Sequence, residues 1–167
     1  LAGDLTLAEL STKNLIGPFA KEKKQVLLIP GNHESVATAD FLAEMYDNTK
    51  NIHGYAFSKD NIGIFGAGGA DIGPNRVSES DIFNLLKKGH DRIKSQEKQI
   101  MVTHMHPKGS KAEFSGFEGS KAIKKAIDEF HPDILISAHI HEASGIEEKI
   151  GKTKVINVSR KPKIFEI

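Results

Sequence analysis

Two histidines separated by one residue, His139 and His141 in the stretch Ser137 to Gly145 (SAHIHEASG), close the apolar run PDILI. Along an extended chain the side-chain period is two, so both imidazoles point to one side and Ile140 to the other. Taken alone, such a pair reads as well as a solvated loop. Its companions change that reading. Asp4 follows LAG, Asn32 and His33 follow LLIPG, and His104 and His106 follow IMVT, just as His139 and His141 follow ILISA. Carboxylate, carboxamide and imidazole groups all bind metals, and their recurrence after four successive apolar runs points to a shared cation site.

The elements that must position these groups alternate short apolar runs with amphipathic segments, the rhythm of an α/β fold. QVLLIP (Gln25 to Pro30), QIMVTH (Gln99 to His104) and DILISAH (Asp133 to His139) are near-continuous apolar runs, as strands buried on both faces require. Helical spacing predicts helices over Leu7 to Lys24, with a break near Gly17, and over Ala37 to Tyr46, Ser80 to Glu97 and Ser120 to Phe130, the last stopped by Pro132. Two more strand pairs, HGYAFSKDNIGIFG and GIEEKIGKTKVINVSRKPKIFEI, carry turn signals at KDN and GK. GAGGADIGPN reads as a surface loop near a site. In open α/β sheets ligands bind beyond the carboxyl ends of the strands, where all the candidate residues lie.

With 167 residues, 38% of them hydrophobic, the chain can bury a full core, and one domain spanning 1–167 is expected. Basic and acidic side chains nearly cancel, 23 against 22, so no net positive field recommends nucleic acid or a membrane as partner. Only Arg76, Arg92 and Arg160 are arginines, which leaves few planar forks for phosphate. The absence of cysteine excludes a disulfide framework and thiolate-bound zinc, and a cytoplasmic location is expected.

GDLT (Gly3 to Thr6), GNHES (Gly31 to Ser35), THMHP (Thr103 to Pro107) and AHIHE (Ala138 to Glu142), in that order, resemble the motifs of the calcineurin-like metallophosphoesterase family, and the likeness runs over nearly the whole chain. The resemblance implies a four-layer αββα sandwich with a two-metal centre at the strand ends. It implies that Asp4 bridges both ions, that Asn32, His104 and His139 complete one site, and that His141 binds the other ion. His33 would act as the general acid, protonating the leaving oxygen or neutralising charge beside the metals. Two ions of Mn, Fe, Zn, Co or Ni suit such mixed ligands better than Ca, and metals would serve as phosphate receptors where arginine is scarce. The implied activity is hydrolysis of a small phosphodiester or nucleotide rather than protein phosphate. The alternative is a non-catalytic scaffold of the same fold; a DNA-repair nuclease is disfavoured by the lack of a basic stripe.

The motifs depart from the family in four places. No D-x-H precedes Asp4, although the family's first strand ends in one and supplies half of one metal site; we expect the natural chain to start roughly 30 residues upstream, about one βα unit. Ala138 stands where glycine is usual, which crowds the turn if positive φ is needed there. INVSR replaces N-P-G around Asn157. His106 stands where proline is usual, so it is a candidate substrate contact, with an exposed loop residue as the plain alternative. His53, His90 and His131 lie outside the strand-end set and read as structural or solvated, and Lys108 and Lys111 read as loop lysines or phosphate contacts. The spacing leaves the oligomeric state open.

Overall fold

The computed structural model describes residues 1–167. β1 (Val26–Leu28) and β2 (Thr49–Asn51) form a small parallel sheet, which Ala2 extends through a bridge to Ile29. The second sheet contains β3 (Ala56–Lys59), β4 (Ile62–Ala67), β5 (Lys98–Thr103), β6 (Ile134–Ser137), β7 (Glu147–Ile150) and β8 (Thr153–Asn157) in the order β3-β4-β5-β6-β8-β7. Its four central strands are parallel and its two edges antiparallel. Two short helices, α1 (Gly17–Lys21) and α2 (Val36–Met45), accompany the small sheet, while α3 (Glu79–His90) and α4 (Lys121–Phe130) make the crossovers between β4, β5 and β6.

Period-two alternation sorts the strand residues into layers. On β5 and β6, Met101 and Leu135 pack with Leu86 of α3 and Ile123 and Ile127 of α4, while Ile100, Val102 and Ile134 point the other way, onto Ile29 and Ile52 of the small sheet. On β1, Val26 and Leu28 face Ile16, Ala39 and Leu42 beneath α2. The order is therefore helix, sheet, sheet, helix: the αββα sandwich. Beside Leu1 and Ala2 the layer between the sheets opens into an apolar groove of about 670 Å³, lined among others by Leu27, Ile64, Ile136 and Phe165.

Both predicted hairpins form. Asp60 and Asn61, at φ 51° and 63°, make the β3–β4 turn with the paired positive φ that a tight hairpin needs. The helix expected over Leu7 to Lys24 does not: only Gly17–Lys21 is helical. Ala8, Glu9 and Asn14 have positive φ, and Pro18 cannot supply the N–H a continuous helix would need. Tertiary bonds claim the polar groups instead: the Ser35 N–H, the Ser35 hydroxyl and the Thr38 hydroxyl all donate to Glu9 Oε1, at 2.7, 2.7 and 2.5 Å. The helix expected over Ser80 to Glu97 likewise ends early, at His90, and Ile93 turns back into the core.

Candidate metal centre

Two loops, one around Asp4 and one around Asn32, hold each other by exchanging carboxylates. The Asn32 and His33 N–H groups donate to Asp4 Oδ1 at 3.1 and 3.4 Å. In return, Gly31 and Leu5 N–H donate to Glu34 Oε1 at 2.6 and 3.1 Å, and the Thr6 N–H and hydroxyl reach Glu34 Oε2 at 3.3 and 3.4 Å. Glu34 is completely buried, a position a carboxylate tolerates only when its lone pairs are met. The loops touch so closely that a Cβ on Gly31 would run into Asp4 Oδ1 and the Asp4 backbone nitrogen. Asp4 itself sits at φ 51°, a left-handed conformation that turns its carboxylate off the strand end and over the sheet.

Four donor atoms meet where these loops face β5 and β6. His104 Nε2 lies 3.0 Å from Asn32 Oδ1, 3.1 Å from His139 Nδ1 and 3.3 Å from Asp4 Oδ1. The other ring nitrogen, His104 Nδ1, is 2.8 Å from the Ala2 carbonyl, which can only accept, so we assign the proton to Nδ1 and the lone pair to Nε2. Lone pairs of one carboxylate, one carboxamide and two imidazoles therefore converge, an arrangement that repels itself unless a proton or a cation lies among them. Ligands about 2.0–2.1 Å from a metal stand about 3.0–3.4 Å from one another, so the observed spacings fit an ion. The donor atoms of Asp4, His104 and His139 all lie within 4.8 Å of one another.

The electrostatics favour the ligating forms. Burial pushes the Asp4 carboxyl up, but with a proton on His104 Nε2 in the place a cation would take, the hydrogen bond and charge of that ring, with His33, outweigh burial and leave the group below its usual range. Burial first, and then the neighbouring His104, lowers His139 to about 4, so its imidazole is neutral and its lone pair free throughout the physiological range. The Ala2 carbonyl behind His104 orients the ring, as supporting hydrogen bonds do for ligating histidines.

His33 and His141 stand on the wall of the same cavity, which holds about 470 Å³ above Asp4, His104 and His139. The extended path expected from Ser137 to His141 is not followed: β6 ends at Ser137, His139 adopts φ 62°, and His141 begins a 3₁₀ turn over His141–Ala143. His139 reaches the four-donor cluster and His141 the cavity wall, while Ile140 is buried against Ala112 and Ala143. The positive φ falls on His139 rather than Ala138, so a methyl at position 138 meets no backbone penalty. Asn157 replaces a turn with a latch: its Nδ2 donates to the Ala138 carbonyl at 3.0 Å and its Oδ1 accepts from Ser159.

His106 is neither exposed nor on the cavity wall. It is 1% exposed, its Nε2 donates to the Phe117 carbonyl at 3.3 Å, its Nδ1 has no partner, and burial lowers its pKa. Lys108 pairs with Glu118 at the surface. The remaining histidines are structural or solvated: His53 Nδ1 accepts from Gly68 N–H, His90 stacks on Phe130 at 4.4 Å, and exposed His131 caps α4 in a left-handed conformation. Two residues on these loops escaped the sequence reading. Glu34 carries one weak signal, its place beside His33; Arg160, on the cavity wall, carries none beyond being one of three arginines.

A sandwich of two sheets thus gathers carboxylate, carboxamide and imidazole donors at its strand ends. The calcineurin-like phosphoesterase family model matches residues 1–143, and the chain belongs to that family, whose chemistry is metal-dependent hydrolysis of phosphoesters. Among solved structures it is similar to TT1561 of Thermus thermophilus, at 17% identity and TM-score 0.73, with 94% of this chain and 74% of that one covered. It is also similar to the Thermus thermophilus sulfate thiohydrolase SoxB in complex with glycerol, at 11% identity and TM-score 0.53, covering 95% of this chain but 32% of that one. At these identities the likeness is one of fold. No curated protein matches the chain. No helix is long and apolar enough to cross a membrane.

Proposed function

We propose that the protein hydrolyses a small phosphodiester or nucleotide at a dinuclear centre, with Asp4 shared between the ions, Asn32, His104 and His139 on one and His141 on the other. The observation that carries this reading is the meeting of four lone-pair donors at the floor of an open cavity with His33 on its wall. Bound ions of this kind lower the pKa of a water and withdraw charge from a phosphoryl group. The chain's own contribution is positional. Glu34 holds the Asp4 and Asn32 loops in register, the Ala2 carbonyl fixes the His104 tautomer, and the half-buried His33 on the cavity wall would give a proton to the departing alkoxide.

The test loads the protein with Mn, Fe, Zn, Co or Ni in turn and measures turnover of diesters, monoesters and nucleotides beside bound metal. His33→Ala should keep its metal and lose about 10²–10⁴-fold in turnover, because a general acid acts in the transition state. His139→Ala should lose metal. Absence of turnover with every metal would leave a scaffold of this fold as the better reading, and loss of metal in His33→Ala would make His33 a ligand instead of an acid.

A further inference from the structure

The cavity above the donor cluster has a wall with a chemistry of its own. Arg160 is the one lysine or arginine on it, and its exposed side chain makes no ion pair. Its backbone is fixed to the loop that carries His139 and His141. The Arg160 N–H donates to Ser144 Oγ at 3.3 Å, and the neighbouring Ser159 hydroxyl lies 2.8 Å from the Ile140 carbonyl. An unpaired guanidinium on the wall above these donors, planar and permanently charged, is suited to receive an anionic oxygen.

Leu7 and Leu10 line the same cavity while 67% and 79% exposed. They do not hang on a slack loop. Thr6 Oγ1 accepts from Glu9 N–H at 3.1 Å, Leu10 N–H donates to the Leu7 carbonyl at 3.1 Å, and Glu9 is tied to Ser35 and Thr38. Two solvated leucines presented by a hydrogen-bonded turn form an apolar shelf at the mouth of an otherwise polar site.

We propose that Arg160 and the Leu7–Leu10 shelf are the substrate-recognition wall of this centre. Arg160 takes an anionic oxygen of the ester, and the shelf takes an apolar or aromatic group, so the preferred substrate class is an anionic phosphodiester bearing such a group. This rests on the hydrolase reading above and names the substrate of that same site.

The experiment uses metal-loaded protein and two esters with the same leaving group, bis(p-nitrophenyl) phosphate and methyl p-nitrophenyl phosphate, each rate divided by its uncatalysed value. Binding of phenylphosphonate and methylphosphonate is measured by calorimetry in parallel. The wild type should prefer the aryl diester by about tenfold in kcat/KM, the scale of an added apolar group in a partly open pocket. Leu7→Ser/Leu10→Ser, changing exposed positions, should bring that ratio near one while sparing the methyl ester. Arg160→Ala should raise KM for both esters about tenfold with kcat nearly unchanged, and Arg160→Lys should recover part of the loss. An unchanged ratio in the leucine variant, or an unchanged KM in Arg160→Ala, overturns the proposal and leaves hydrolysis itself standing. If neither ester turns over but phenylphosphonate binds and its binding falls in Arg160→Ala, the recognition wall stands and the hydrolase reading fails.

Discussion

Replacing Glu34 by glutamine tests whether the carboxylate exchange between the two loops holds the metal donors in place. The side chain keeps its volume, so no cavity opens and the change is confined to hydrogen bonding. One carboxylate oxygen becomes an NH₂ group. With its remaining oxygen toward Gly31 and Leu5, the amide nitrogen faces the Thr6 N–H, donor against donor, while the Thr6 hydroxyl can rotate to accept. An unmet buried N–H costs about 1–3 kcal/mol, and the two surviving bonds drop from a charged to a neutral acceptor, about 1 kcal/mol each. The total is about 3–5 kcal/mol, a large part of the roughly 5–15 kcal/mol that holds a domain folded. Urea unfolding should show the midpoint falling at unchanged slope. Because Asp4 and Asn32 sit on the clasped loops, calorimetric metal affinity should also fall, by about 10–100-fold, as when supporting partners of ligands are removed. A stability within about 0.5 kcal/mol of wild type, with metal affinity intact, would mean that other groups satisfy these N–H donors and that Glu34 does not hold the site.

Gly31→Ala should keep its circular dichroism spectrum and lose metal, since the new methyl occupies the place of the Asp4 carboxylate; normal metal content would show that the loops can separate without harm. Glu9, held down to about 2 by the Thr38 and Ser35 hydroxyls and the Ser35 N–H, should stabilise the loop–α2 contact above its ordinary value of 4.5 and lose that contribution as pH falls toward 2. Stabilities of wild type and Glu9→Gln should therefore converge in that window, and parallel curves down to pH 2 would contradict the assignment. Leu135→Ala empties a fully buried position between the large sheet and α4 and should cost about 2–5 kcal/mol by thermal or urea unfolding, leaving metal affinity near wild type because the cavity lies on the helix side of β6.

What the sequence determined by itself is whatever follows from neighbours in the chain. Near-continuous apolar runs in QIMVTH and DILIS assigned β5 and β6 and their two buried faces, the KDN and GK turns assigned the hairpins, and the polar residues closing each apolar run marked the candidate site. Asp4, Asn32, His104 and His139 were legible because a strand end carries its terminal residues to one edge of the sheet whatever the loops do. Tertiary structure decided what depends on groups distant in sequence. Leu7 to Ile16 has helical spacing yet does not form a helix, because Glu34 and α2 take the Leu5 and Thr6 N–H groups and the Glu9 carboxylate into bonds 26 to 29 residues away. His139 and His141 part company for a related reason. Their turn is set by Asn157 and Ser159, which bind the Ala138 and Ile140 carbonyls from the end of β8 and just beyond it, so the simple alternation of an extended strand no longer applies. Glu34 and Arg160 look like ordinary charged residues in the sequence. One is buried and the other faces the site only because separate loops close around them, and a local pattern carries no record of that closure.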